Sequence, residues 1–185
     1  AGDPLAMTDV DAALRLASAY LETKNHHRAQ EVLGTALAAD PHNPRLLATL
    51  AQSNLDEGDI LTAEKHARAA LAADMQYEPA MRVYAQALLR QHRTLDALDV
   101  IQDAVREHPH SDAVHYWHAE ILRVAGHPAE ALAAAEEALK LDPNDPDTMV
   151  LRADVLLANH QLDQAKAGYR DALRVQPDHA GAVHG

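Results

Sequence analysis

The 185-residue chain contains no cysteine and no phenylalanine, and aromatic residues make up only 3% of it. Without thiols there is neither a disulfide framework nor a thiolate metal site, and the redox compartment leaves no mark on the sequence. No run of about 18 apolar residues occurs, so nothing reads as a membrane span or inserts directly into a bilayer. Positive charge is scarce as well: 16 Lys and Arg against 28 Asp and Glu leave a net charge of −12. A phosphate backbone is bound mainly through a basic face, which argues against nucleic acid as a partner, whereas a cationic partner would be attracted at long range. Glycine-rich phosphate loops, a nucleophile elbow and an HExxH pattern are all missing, and Ser18, Ser53 and Ser111 sit in ordinary helical or turn settings. The adjacent Glu136 and Glu137 point to different sides of a helix. We therefore expect no catalytic residue, no enzymatic activity and no cofactor.

What the chain does have is a period. Pro41, Met75, Pro109, Pro143 and Pro177 fall 34 residues apart, with Met75 the one substitution. Three alanine columns keep the same step: Ala17, Ala51, Ala85, Ala119 and Ala153; Ala29, Ala63, Ala97, Ala131 and Ala165; Ala36, Ala70, Ala104, Ala138 and Ala172. A fourth column is large and apolar at Tyr20, Leu88, Leu122 and Leu156, and Asn54 breaks it. A fixed period of this length marks stacked copies of one supersecondary unit. Small residues where helices cross let the backbones come close, so the columns read as a packing code.

These columns resemble the tetratricopeptide repeat, a helix-turn-helix unit, over residues 10–179 in repeats 10–43, 44–77, 78–111, 112–145 and 146–179. Two family positions depart from the pattern. The large place in the second helix is Leu33, Ala67, Ile101, Ala135 and Tyr169, and the early aromatic is replaced by Ala13, Leu47, Met81, His115 and Met149. Thinner packing is expected in the second and fourth repeats. The resemblance implies an all-α fold, a right-handed solenoid of five helical hairpins whose first helices line an inner wall.

Apolar spacing and turn chemistry place helices at about 9–23, 26–39, 44–57, 60–73, 78–91, 94–107, 112–125, 128–141, 146–159 and 162–175. Prolines between repeats cannot continue a helix, and neighbouring Asp or Asn can cap the next one. Within repeats, Gly58 and Gly126 supply left-handed helix ends, with Asn25, His92 and His160 in the comparable turns. Residues 1–9 read as a leader or cloning scar, and 180–185 as the start of a truncated sixth helix. The N-terminus lacks the basic and apolar regions of a signal peptide, so either a cytoplasmic module or a chain from which an export signal has been removed is expected.

Function in such a repeat array is expected on the stripe of each first helix that faces away from its own hairpin. That stripe carries Arg45, Gln52, Arg82, Gln86, Arg90, Tyr116, Glu120, Arg123 and Asp154, with Tyr77 at a turn beside it. A guanidinium fork fits a carboxylate, so a peptide anchored by an acidic side chain or terminal carboxylate near Arg82 and Arg90 is expected; pairing of these arginines with the chain's own acids is the competing reading. The carboxylate clamp of chaperone-binding members is absent, because its register here falls on Arg82, Gln86, Trp117, Asp147 and Leu151.

Thirteen histidines invite a metal reading, and His115 and His118 lie three apart on one helix. Their positions face the second helix and two ligands are not four, so no metal is expected. Asp142, Asn144, Asp145 and Asp147 have an oxygen-rich spacing, but Pro143 and Pro146 break a calcium loop and helix capping accounts for them. The expected function is a scaffold or adaptor gripping a peptide or helix of a partner protein. The alternatives are self-assembly through repeat ends, where Leu162, Ala165, Tyr169 and Leu173 would lack a neighbour, or a regulatory domain of a longer protein.

Overall fold

Each repeat boundary is built from the same local chemistry. His108 and Gln176 end two of the helices, and elsewhere an aspartate does, with its own amide bonded back four residues, as Asp74 does to Ala70 and Asp142 to Ala138. Its carboxylate then receives an amide two residues on, from Gln76 and Asn144 respectively. The turn closes in the same way around Met75 as around the prolines, with a backbone amide bonded back three residues, as Tyr77 does to Asp74 and Ser111 to His108, so the pyrrolidine ring is not what defines it. Asn43, Ser111 and Asp145 next accept the free amides of the following helix.

The computed structural model describes residues 4–185, with side chains from residue 9 onward. Its helices are α1 (Pro4–Glu22), α2 (His26–Ala39), α3 (Pro44–Glu57), α4 (Ile60–Ala73), α5 (Glu78–Arg90), α6 (Thr94–Glu107), α7 (Asp112–Val124), α8 (Pro128–Leu141), α9 (Pro146–Ala158), α10 (Leu162–Val175) and α11 (Ala180–Val183). No strand occurs among the described residues. Two differences from the expected boundaries stand out. Helix α1 begins at Pro4, a residue suited to a first helical position, so most of the expected leader is helical; residues 1–3 of it lie outside the described residues. The left-handed residue of the first hairpin is Lys24 (φ 56°), while Asn25 caps α2. With Gly58, His92, Gly126 and His160 this completes a column of positive φ at the 34-residue step.

The chain forms two compact units that meet in sequence between Arg93 and Thr94, inside the third repeat. In the first, α1 and α2 pair, α3 and α4 pair, and α5 packs on both α3 and α4. In the second, α7 pairs with α8 and α9 with α10, and α11 closes on α9 and α10. The alanine columns are the seams: Ala17, Ala29, Ala51, Ala63, Ala119 and Ala131 have no exposed surface at all. Ala67 and Ala135 are equally buried, and the bulk they lack is supplied from the next first helix, by Val83 and Ala87 against Ala67 and by Leu151 and Val155 against Ala135. The face of α10 expected to lack a neighbour is largely covered: Ala165 and Tyr169 are buried with Val150 and Ala182, and Leu162 alone of that set is widely exposed.

One seam is polar. Between α2 and α3, Gln30 donates to the Ser53 hydroxyl (3.2 Å) and to Glu57 (2.5 Å), and the His26 ring lies 3.4 Å from the same fully buried hydroxyl. Beside it, buried Asn54 accepts from the His66 ring at 2.9 Å. The residue that interrupts the apolar column is therefore paired, which is what a buried amide requires.

Candidate functional site

Most of the candidate side chains on the first helices are held by the chain itself. In the first unit, Arg45 on α3 bonds Asp11 on α1 at 2.8 Å, both about half exposed. Gln52 donates to Asp56 one turn on, also at 2.8 Å. The Nε of Arg82 is bonded to Glu78 on the preceding turn of α5, and Arg90 donates to the Leu55 carbonyl at 2.9 Å, tying the end of α5 to α3. Asp11, Leu14, Ser18, Glu22 and Arg45 line a shallow cavity of about 340 Å³ on the α1 stripe.

Two first-unit candidates are corrected by packing. Gln86 is only 7% exposed, because α5 is wedged against α3 and α4 and even its outward stripe is partly covered. Tyr77 is half-buried against Leu47, Ala48, Ala70 and Ala80, so its ring is a core element at the start of α5 rather than a free anchor. Burial raises its hydroxyl pKa above the ordinary value, opposed by the charges of Arg45 and Arg82, which therefore stand close by.

In the second unit, Glu120 and Arg123 on α7 form a two-bond fork, 2.9 and 2.7 Å, and this bond holds the guanidinium more firmly protonated. Asp154 on α9 accepts from the Tyr169 hydroxyl at 2.5 Å. Tyr116 meets Trp117 edge to face, with ring centroids 5.3 Å apart at 90°. Its hydroxyl is pushed up to about 12, first by burial and then by Glu120, Asp147 and Asp145. The sequence reading missed the convergence behind that shift. A cavity of about 390 Å³ is lined by Tyr116 and Trp117 on α7 together with Asp112, Asp142, Asp145 and Asp147. The signal was present as the acid-rich turn before α9, but its approach to the aromatic pair one repeat earlier depends on how the hairpins stack.

The histidine pair is placed structurally. His115 is buried with its Nε2 2.8 Å from the Pro109 carbonyl, and His118 is held below its ordinary pKa by burial and then by His115. Asp145 caps α9 through the Thr148 amide, and Asp142 receives the Asn144 amide. Among the described residues no cluster of His, Asp or Glu is arranged to hold a metal ion, and no helix is long and apolar enough to cross a membrane.

Family models described as tetratricopeptide repeat match residues 5–53 and 122–185, and a second such model matches 85–146. The chain is 27% identical over 161 residues to the type IV pilus assembly protein PilF of Pseudomonas aeruginosa, covering 86% of this chain and 64% of PilF. It is 30% identical over 166 residues to the cellulose synthase operon protein C of Xanthomonas axonopodis pv. citri, covering 85% of this chain and 11% of that protein. The chain thus spans less than two thirds of the length of either relative. A crystal structure of a thermophilic TPR protein from Thermus thermophilus has the same fold, with a TM-score of 0.85 at 24% identity over 94% of this chain and 95% of that one. Periodic hairpins, alanine seams buried at each crossing and family models that cover more than half of its length together show that this chain belongs to the tetratricopeptide repeat family.

Proposed function

We propose that the chain is a non-enzymatic scaffold that holds an extended peptide or a helix of another protein along the stripes of its first helices. The fold is in general one of protein–protein interaction, and the observation that carries the finer reading is the division of labour within α1 and α3. Their packed faces are filled mainly by alanine and leucine, while Asp11, Ser18, Arg45, Gln52 and Asp56 keep exposed surface, with Arg45 bonded to Asp11 and Gln52 to Asp56. An acidic side chain or terminal carboxylate of the bound segment docks at Arg82 and Arg90 in this reading. The pair that Arg82 makes with Glu78 is of the kind worth about 0.3–0.5 kcal/mol on a helix, so an incoming carboxylate displaces it at small cost. The two relatives are named for pilus assembly and for a cellulose synthase operon, which supports a role in organising a larger assembly.

Position-resolved photo-crosslinking tests this. A crosslinker at residue 52 or 82 should capture the partner, and one at Leu61, an exposed residue of a second helix, should not. Capture from position 61 alone would place the interaction on the outer surface and refute the groove. The acidic anchor has its own check: Arg82→Glu with Arg90→Glu should weaken partner binding at least tenfold, and unchanged affinity would remove it.

A further inference from the structure

We propose that the aromatic cavity between the start of α7 and the start of α9 seats an arginine side chain of a partner peptide. The inference rests on the scaffold reading and adds the chemistry that one part of the second unit recognises. Three observations converge. The cavity of about 390 Å³ has room for a guanidinium and its stem, and no cationic side chain lines it. Its wall is the Tyr116–Trp117 pair, whose perpendicular rings offer a π face for a planar cation. Its rim carries four aspartates, Asp112, Asp142, Asp145 and Asp147.

Charge complementarity supports the same occupant. Residues 94–185 hold seven Lys and Arg against sixteen Asp and Glu, a net −9, whereas residues 1–93 hold nine against twelve, a net −3. Most of the chain's acidity therefore belongs to the unit that contains the cavity. Two helix N-termini nearby oppose a cation, but each amounts to roughly half a positive charge and cannot outweigh four carboxylates. Arg123 on α7 opposes this field at Tyr116, but it is forked onto Glu120 and does not line the cavity. The raised pKa of the Tyr116 hydroxyl, partly due to Asp147 and Asp145, reports the same negative field. Capping leaves the aspartates able to accept more: Asp142 and Asp145 each engage one oxygen, and Asp147, 69% exposed, bonds His179 through one oxygen at 2.8 Å. Arginine is favoured over lysine because its planar fork both stacks on a ring and bridges two carboxylates.

Trp117 is the only tryptophan in the chain, so its fluorescence reports on this cavity. The intact chain would be titrated with blocked nine-residue Gly/Ser peptides carrying two arginines, two lysines or two glutamates. The arginine peptide should shift Trp117 emission saturably, the lysine peptide should bind several-fold more weakly, and the glutamate peptide should give no response. Asp112→Asn with Asp147→Asn should weaken the arginine peptide at least tenfold, while Asp171→Asn, which removes an exposed carboxylate on α10, should change it less than twofold. Equal responses to arginine and glutamate, or an unaffected double variant, would overturn the proposal; equal arginine and lysine affinities would overturn the stacking. Loss of this response with crosslinking at residues 52 and 82 retained would sink the arginine seat and leave the scaffold standing.

Discussion

Replacing Gly126 with alanine and His160 with glycine perturbs one structural column in opposite directions. Both residues end a first helix of the second unit in the left-handed region, at φ 81° and 60°. A Cβ built at Gly126 meets nothing within 4 Å, so the alanine adds no clash and the cost is conformational alone. An L residue in that region costs about 1–2 kcal/mol, offset by about 0.4–1 kcal/mol because alanine also restricts the unfolded chain. The net expectation is a loss of about 1 kcal/mol for Gly126→Ala. His160→Gly removes the same strain from an exposed ring and should gain about as much. For a chain of this length each change corresponds to about 2–4 °C in Tm. Thermal and urea unfolding followed by far-UV circular dichroism would measure both, and the double variant should return close to the parent. If Gly126→Ala were neutral, or His160→Gly destabilising, the left-handed column would not carry the strain assigned to it.

Other expectations follow from the seams and caps. Ala131→Leu places a larger side chain where α7 and α8 meet with no exposed surface, and should lower stability by about 1–3 kcal/mol in the same unfolding assay. Asn43→Ala removes bonds to the Arg45 and Leu46 amides at 3.0 and 3.2 Å and should cost about 1 kcal/mol. His66 and His118 both titrate below their ordinary value, first because of burial, then through Lys65 and His115 respectively. With depressed folded pKa values, the unfolded chain takes up protons first as pH falls. Their contribution is therefore complete above about 6.5 and declines as pH drops through their folded values. His66→Gln and His118→Gln should each flatten the change in urea midpoint between pH 7.5 and 5, and variants that track the parent over that range would refute the assignment.

Helix positions were legible because they depend on local chemistry: prolines, caps and apolar spacing act within one turn of the residue that carries them. The alanine seams were legible for a related reason, since a small residue repeated at one step has little other use. Errors arose where the outcome depended on neighbours. Lys24 rather than Asn25 takes the left-handed turn because Asn25 is drawn into capping the Arg28 amide. Gln86 lies on the correct stripe, but its burial is decided by how α5 wedges against α3 and α4. The arginines read as carboxylate anchors, yet Arg82 and Arg123 pair with glutamates one turn away on their own helices, and Arg45 and Arg90 meet partners that only the folded geometry brings within reach, Asp11 and the Leu55 carbonyl. Asn54 was conspicuous as a break in its column, and its partner His66 on the following helix was not.

The buried Ser53 hydroxyl between α2 and α3 limits how interchangeable the hairpins are. Where alanine meets leucine, one module could be exchanged for another with modest loss, but Ser53 needs Gln30 and His26 opposite it, and no other hairpin offers that trio. A library that shuffled, deleted or duplicated modules would therefore find the first two inseparable, inherited as a block, while later ones tolerate rearrangement.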